Sequence, residues 1–277
     1  QAGCSATDAA PSVEARDMAE SYKHFSGHYP KRKVLLIQDQ AEKEWLYYRS
    51  DPSTQQNEPL VFLPPAGGSA DCYYKQMISL APLGFYLIMT SPPPYYSIGE
   101  FLEGLLLFFQ NLKIHACHLF GAGLGGYLAL CFAQHYPART LSLVKCNSFG
   151  NTGHFLKFLP NLFTMNLSPK FLLRQCLLEM YDKRKLPRQL VEAIDFMVEE
   201  CDRLPRAVLL GHLHLLSQLT ALKPRTHITC ETTLIKSLDQ QLVPDGPHAF
   251  LMRFIAGAHE ALLKEGGDFP FLAAADE

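Results

Sequence analysis

The residues that decide what chemistry this chain can do lie between His118 and Tyr136. His118-Leu119-Phe120 reads as a short strand, Gly121-Ala122-Gly123-Leu124-Gly125-Gly126 follows without a break, and Tyr127 to Tyr136 has helical character until Pro137 stops it. A strand that turns this tightly into a helix lifts the middle residue of the turn above the sheet. Gly-x-Ser-x-Gly at such a place exposes a serine hydroxyl for attack on a carbonyl. The outer positions must be small, and Gly121 and Gly125 meet that need. The middle position is Gly123, which takes positive φ freely but offers no oxygen or sulfur.

The other roles in nucleophilic catalysis have recognisable stations. An oxyanion-binding loop belongs after an earlier strand, and Pro64-Pro65-Ala66-Gly67-Gly68 stands there, so that the backbone N–H groups of Ala66 and Leu124 could converge. A carboxylate belongs after a late strand. Ser237-Leu238-Asp239-Gln240-Gln241 has that look, with Asp239 the better candidate and Asp245 the second. A histidine base belongs in the loop after the last strand, yet Glu265-Gly266-Gly267-Asp268-Phe269-Pro270 holds Asp268 at that position. A carboxylate facing a second carboxylate is a poor substitute base, because like charges oppose ionisation. Gly123, Asp239 and Asp268 are thus expected to be the positions of a degenerate triad.

Rescue from elsewhere is hard to find. His118 precedes the elbow, His248 and His259 are expected before the last strand, and His212 and His214 flank Leu213 on different helix faces, which excludes an i, i+4 metal pair. Ser148 or a nearby cysteine could serve as a displaced nucleophile, though neither sits at the elbow. Gly121-x-Gly123-x-x-Gly126 also matches a dinucleotide-binding fingerprint, but that motif belongs at the first strand–helix turn with an acidic residue ending the next strand. Here several elements come first, and the next strand ends Lys145-Cys146-Asn147.

The elements that must hold these residues are legible in outline. Leu60–Leu63, Tyr86–Met89, His118–Phe120 and Leu141–Val144 are continuous apolar runs of strand length, as expected of strands covered on both faces. Helical stretches at 72–80, 98–112 and 127–136 alternate with them, which predicts a parallel sheet with crossover helices. Val34–Ile37 and Trp45–Tyr48 add two short strands, and Asp51–Glu58 reads as a polar loop. From Phe155 to about Leu219 the pattern is helical only, then strands return at 228–235 and 261–263. The chain is therefore read as an α/β-hydrolase fold: a mostly parallel central sheet flanked by helices, with a helical cap inserted at about 151–222. The domain is expected to span 25–277 behind a flexible leader at 1–24.

Composition narrows the function classes. The 277 residues are 48% hydrophobic with a formal net charge of −2, so there is no global electrostatic case for nucleic-acid or anionic-membrane binding. The eight cysteines form no C-x-x-C pair and no Cys/His cluster at zinc spacing, which suits a reducing compartment and predicts neither metal nor cofactor. No apolar stretch is long enough for a transmembrane helix.

Short segments spread along the chain carry a resemblance. Val61-Phe62-Leu63-Pro64-Pro65, His118-Leu119-Phe120-Gly121-Ala122, Cys146-Asn147-Ser148-Phe149, Ala193-Ile194-Asp195-Phe196-Met197-Val198 and Leu263-Lys264-Glu265-Gly266-Gly267-Asp268-Phe269-Pro270 together resemble the maspardin family, in order from about Phe25 to Leu272. The resemblance implies a non-catalytic α/β-hydrolase-like protein of the cytosol. It implies peripheral association with endosomal and trans-Golgi membranes, and action through protein partners such as a receptor's cytoplasmic tail. It also implies a serine at position 123 and an asparagine at 268, where this chain has Gly123 and Asp268; Asp239 is kept. The expectation is a pseudoenzyme that binds partners. The alternatives are a ligand sensor using the pocket under the cap, or a weak esterase with a displaced nucleophile.

Overall fold

The computed structural model describes residues 13–50, 58–178, 186–218, 228–242, 245–255 and 257–277. Helix α1 (Val13–His28) leads into a hairpin of β1 (Arg32–Gln38) and β2 (Ala41–Arg49). Asp39 and Gln40 close the hairpin with φ of 51° and 64°, the two-residue turn whose twist matches paired strands. Strands β3 (Leu60–Leu63) and β4 (Leu87–Ser91) flank α2 (Tyr74–Leu80), and α3 (Ile98–Asn111) leads to β5 (Cys117–Ala122). Helix α4 (Leu124–His135) then precedes β6 (Thr140–Cys146).

Four helices fill the gap before the next strand: α5 (Leu162–Leu167), α6 (Lys170–Leu178), α7 (Arg188–Arg203) and α8 (Arg206–Ser217). Strand β7 (Glu231–Ser237), α9 (Asp245–Phe254), β8 (His259–Leu263) and α10 (Pro270–Ala273) complete the described chain. The sheet order is β1-β2-β4-β3-β5-β6-β7-β8. Among the described strands β2 runs opposite to the rest, so that its pairings with β1 and β4 are antiparallel; every pairing from β4 to β8 is parallel. This is the α/β-hydrolase architecture the apolar runs predict.

Burial explains the runs. Val61, Phe62, Leu63, Leu87, Ile88 and Met89 are all inaccessible because helices cover both faces of the central strands. Helix α3 starts after the prolines at 92–94 with a capping box: the Ser97 hydroxyl accepts from the Glu100 N–H and the Glu100 carboxylate accepts from the Ser97 N–H, both at 3.2 Å. Trp45 of β2 stacks on Phe108 of α3 at 4.7 Å, fastening the hairpin to the core.

Two expectations need correction. The sequence predicts a leader over 1–24, but α1 begins at Val13, the Tyr22 hydroxyl donates to Asp71 at 2.7 Å, and Phe25 is fully buried. Small polar residues suggest a tail, yet Tyr22 and Phe25 supply an apolar face that α2 covers; residues 1–12 lie outside the described chain. The last strand begins at His259, so that histidine is in β8 and not before it. Helix α9 has no counterpart in the sequence reading; Gly246 and Pro247 fall in its first turn, where proline is tolerated. The expected cap boundary at 222, residues 51–57 of the polar loop and Cys4 also lie outside the described residues.

Candidate functional site

Gly123 stands between β5 and α4 with φ 50° and ψ −116°. That conformation is costly for any residue with a Cβ, by about 1–3 kcal/mol. Its N–H donates to the Cys146 carbonyl at 3.0 Å, and its carbonyl accepts from the Tyr127 N–H at 3.2 Å and the Ser148 hydroxyl at 2.7 Å. The neighbouring glycines are there for a different reason. A Cβ on Gly121 would lie 2.4 Å from the backbone of Gly125 and Gly126, and one on Gly125 would lie 2.1 Å from the Leu63 carbonyl oxygen. A Cβ on Gly123 would meet nothing closer than Pro65 at 3.8 Å. Packing forces glycine at the outer positions of the turn, while the apex has room for a side chain that the sequence does not supply.

Above Gly123 lies a cavity of about 280 Å³, at the lower edge of the size of small-molecule sites. Ala66 and Leu124, the expected oxyanion pair, line it together with Gly123 and Ala122, and so does Asp268. Its roof comes from the helical segment between β6 and β7, through Phe155, Phe158, Leu177 and Leu216. The loop holding Ala66 is fixed from the cap side. The Gly67 N–H donates to Nδ1 of His212 at 3.1 Å, so this ring keeps its proton on Nε2. Burial lowers the His212 pKa to about 4, and the ring stays neutral.

The two expected carboxylates accept from backbone N–H groups. Asp239 accepts from the N–H groups of Gly266 at 3.2 Å and Gly267 at 2.8 Å. Asp268 accepts from those of Gln241 at 3.0 Å and Leu242 at 2.7 Å. Each side chain clasps the backbone of the loop that carries the other. Asp245 opens α9 by its backbone; its side chain lies outside what the structure describes.

Ser148, the expected candidate for a displaced nucleophile, spends its proton on the Gly123 carbonyl. The buried thiols of Cys131 and Cys146 are pushed up to about 11 and about 12 by loss of solvent, far from the reactive thiolate range. His118 bonds Ser142 at 2.7 Å near the start of β5, and His248 bonds Glu260 at 2.7 Å. His214 bonds Asn166 at 3.2 Å on the outer side of α8. Among the described residues no group of three or more His, Cys, Asp or Glu could hold a metal ion.

Several participants were missed by sequence reasoning. Asn147, at φ 42°, donates to the Gly267 carbonyl at 2.8 Å and accepts from the Ser237 N–H at 2.9 Å, joining the exits of β6, β7 and β8 beside the cavity. His154 lines the cavity and packs against Phe155 and Phe158 with ring separations of 5.7 and 5.3 Å. Neither carries a spacing signal, since each is a single polar residue in a loop.

The third is a buried polar cluster under the same loop as Ala66. The Asp71 carboxylate accepts from Lys31 at 2.6 Å, from the Tyr22 and Tyr48 hydroxyls at 2.7 Å each and from Ser69 at 2.9 Å. Burial opposes its charge, but the Lys31 ammonium and these hydrogen bonds outweigh that and hold its pKa below the ordinary carboxylate value. Ser69 Oγ also lies 2.6 Å from Glu200 of α7. One hydroxyl has one proton, so Ser69 can donate to only one of the two carboxylates. A proton on Glu200 would let both contacts form; burial and the Asp71 charge raise its pKa toward that state, while the Ser69 hydrogen bond and the Arg203 guanidinium at 2.9 Å favour the charged form.

No family model matches the chain. It is 32% identical over 263 residues to maspardin of Homo sapiens, covering 94% of this chain and 84% of that protein. With maspardin of Danio rerio it shares 30% over 268 residues, 96% of this chain and 85% of the relative. Among solved structures, the enol-lactonase from Burkholderia xenovorans superposes with a TM-score of 0.72 at 14% identity over 88% of this chain and 95% of its own. An esterase from Exiguobacterium antarcticum gives 0.70 at 14% identity, over 88% and 96%. At such identities these two enzymes speak for the fold alone.

Proposed function

Because the chain belongs to the maspardin family, we propose that it is a catalytically silent α/β-hydrolase-like protein that works by binding protein partners. The observation that carries this reading is the apex of the elbow: the strained turn and the room for a side chain are present, and the residue there is Gly123. Loss of the serine or the histidine of a triad each removes several orders of magnitude of rate, and the corresponding positions hold Gly123 and Asp268. Ser148 Oγ, beside the apex, donates to the Gly123 backbone carbonyl at 2.7 Å. Asp239, Asp268, Ala66, Gly67 and the elbow residues are then parts of a scaffold that keeps its shape without its chemistry. Family membership supports a cytosolic adaptor role, including peripheral attachment to endosomal and trans-Golgi membranes and recognition of a receptor's cytoplasmic tail. Among the described residues no helix is long and apolar enough to cross a membrane. The test is a panel of short-chain p-nitrophenyl esters. Hydrolysis at the buffer rate is expected; turnover well above it that disappears in the His154→Ala variant would overturn the reading.

The cavity favours a second reading, in which the site under the cap still holds a small apolar molecule. A volume of about 280 Å³ walled mainly by Phe and Leu side chains supports it. A library of neutral amphiphiles should raise the melting temperature, and the Gly123→Phe variant, which fills the cavity floor, should not respond. Equal shifts in both proteins would place the binding elsewhere.

A further inference from the structure

The exposed surface of the molecule carries one feature that the clasped loops do not use and that meets the cavity at Phe158. Fifteen large apolar side chains stand exposed among the described residues, and six of them fall between positions 158 and 172: Phe158, Leu162, Phe163, Leu167, Phe171 and Leu172. An even spread would put about one there. Phe163, Leu167 and Phe171 are 74%, 70% and 63% exposed. The same helices already bury an inner face through Met165 of α5 and Leu173 of α6. A helix apolar on both sides needs something apolar to cover its second side.

Charge indicates what that cover is. From Asn151 to Leu178 the sequence contains no Asp or Glu, while it carries Lys157, Lys170 and Arg174. Arg174 pairs with Asp202 of α7 at 2.8 Å. Lys170 donates to the Asp202 backbone carbonyl, and Arg206 to the backbone carbonyls of Asn166 and Ser168. Among the described residues, exposed Lys157 has no carboxylate partner. Phenylalanine and leucine fringed by lysine, in a segment without Asp or Glu of its own and with neighbouring Asp202 paired to Arg174, match the boundary between acyl chains and anionic headgroups. The apolar patch is also continuous with the cavity, since Phe158 is 68% exposed and lines it as well.

We propose that the outer face of α5 and α6 docks on an anionic lipid bilayer. Phe163, Leu167 and Phe171 enter the headgroup boundary, Lys157 and Lys170 sit over the anionic headgroups, and the cavity mouth at Phe158 faces the lipid. The inference rests on the peripheral-membrane part of the functional reading and names its face and its lipid; catalytic silence is not required for it.

Co-sedimentation with phosphatidylcholine vesicles, with and without phosphatidylserine, tests it on the full chain. Binding is expected only with phosphatidylserine and should weaken as salt is added. The double variant Phe163→Ser, Leu167→Ser should lose ~tenfold or more in vesicle affinity with an unchanged melting temperature, and Lys157→Glu should lose severalfold. No binding to phosphatidylserine vesicles would overturn the proposal. Binding that both variants retain would leave membrane association standing and overturn this face. A concentration-dependent dimer that the double variant abolishes, with no vesicle binding, would assign the face to a second copy of the chain. None of these outcomes alters the ester assay, so the two readings fail separately.

Discussion

Asp239 and Asp268 hold each other's loops. The carboxylate after β7 takes two N–H groups from the loop after β8, at 3.2 and 2.8 Å, and the carboxylate in that second loop takes two from the first, at 3.0 and 2.7 Å. In a working triad these stations would carry an acid and the imidazole it orients. In this chain each of the two carboxylates accepts from two backbone N–H groups of the other's loop.

Removing either side of the clasp should loosen both loops. Asp239→Ala and Asp268→Ala are each expected to cost ~1–3 kcal/mol, because half-buried N–H groups lose charge-assisted acceptors. Amide exchange at Leu242 should speed up in Asp239→Ala even though Asp239 does not touch it. Strictly additive denaturation energies for the double variant would refute the mutual clasp.

The four glycines of the elbow should separate cleanly on mutation. Gly123→Ser is expected to fold, at a cost of ~1–3 kcal/mol for a side chain at φ 50°, and to hydrolyse p-nitrophenyl esters no faster than the parent chain. Gly125→Ala, whose Cβ would collide with the Leu63 carbonyl oxygen, should fail to give a cooperative melt. Esterase activity in Gly123→Ser that vanishes with His154→Ala would identify a base in the cavity wall.

Glu200 gives a pH signature of known sign. Its pKa is raised by burial and by the neighbouring Asp71, so its stabilising contact is complete at low pH and is lost as pH rises through the folded-state value. Asp71 behaves oppositely: its pKa is lowered, so its contribution is complete above the unfolded carboxylate value and is lost as pH falls through the folded one. Glu200→Gln, which mimics the protonated acid toward Ser69 but gives up the charge facing Arg203 at 2.9 Å, should flatten the decline toward neutral pH. Glu200→Ala should cost ~2–3 kcal/mol. Chemical denaturation across mildly acidic to neutral pH measures both, and an unchanged profile in Glu200→Gln would remove the proton from this contact.

Lys145 supplies a slope on the other side of neutrality. It is fully buried with its ammonium nitrogen 2.9 Å from the Phe149 carbonyl, and burial lowers its pKa from 10.5 to about 7. Between those values the unfolded chain holds a proton that the folded chain has released, so stability should climb as pH rises through that window and be lowest below it. Lys145→Met should abolish this slope and add ~1–2 kcal/mol below neutrality, since an uncompensated buried charge disappears. A slope that survives the substitution would assign it to another group.

The sheet and the elbow were legible because their signals are local. Leu60–Leu63 is an unbroken apolar run, and Gly121 and Gly125 are glycines that packing requires at fixed spacing from the apex. Helix α9 was hidden by Gly246 and Pro247, whose turn propensity is overridden when they occupy a first helical turn. Helix α1 was hidden by the weak apolar stripe of its small polar residues, although Phe25 is anchored in the core. The polar contacts around the site were illegible for a different reason. Ser69 and Glu200 are 131 residues apart, Gly67 and His212 are 145 apart, and no spacing rule links such partners before the cap is laid over the sheet.

The room above Gly123 makes the protein a host for a reporter. A single thiol introduced there, as Gly123→Cys in a chain whose cavity-lining Cys176 has been changed to serine, would project into the cavity between Ala66 and Phe155 without displacing a neighbour. An environment-sensitive fluorophore attached to it would sit at the floor of the chamber and register the arrival of any occupant as a colour change.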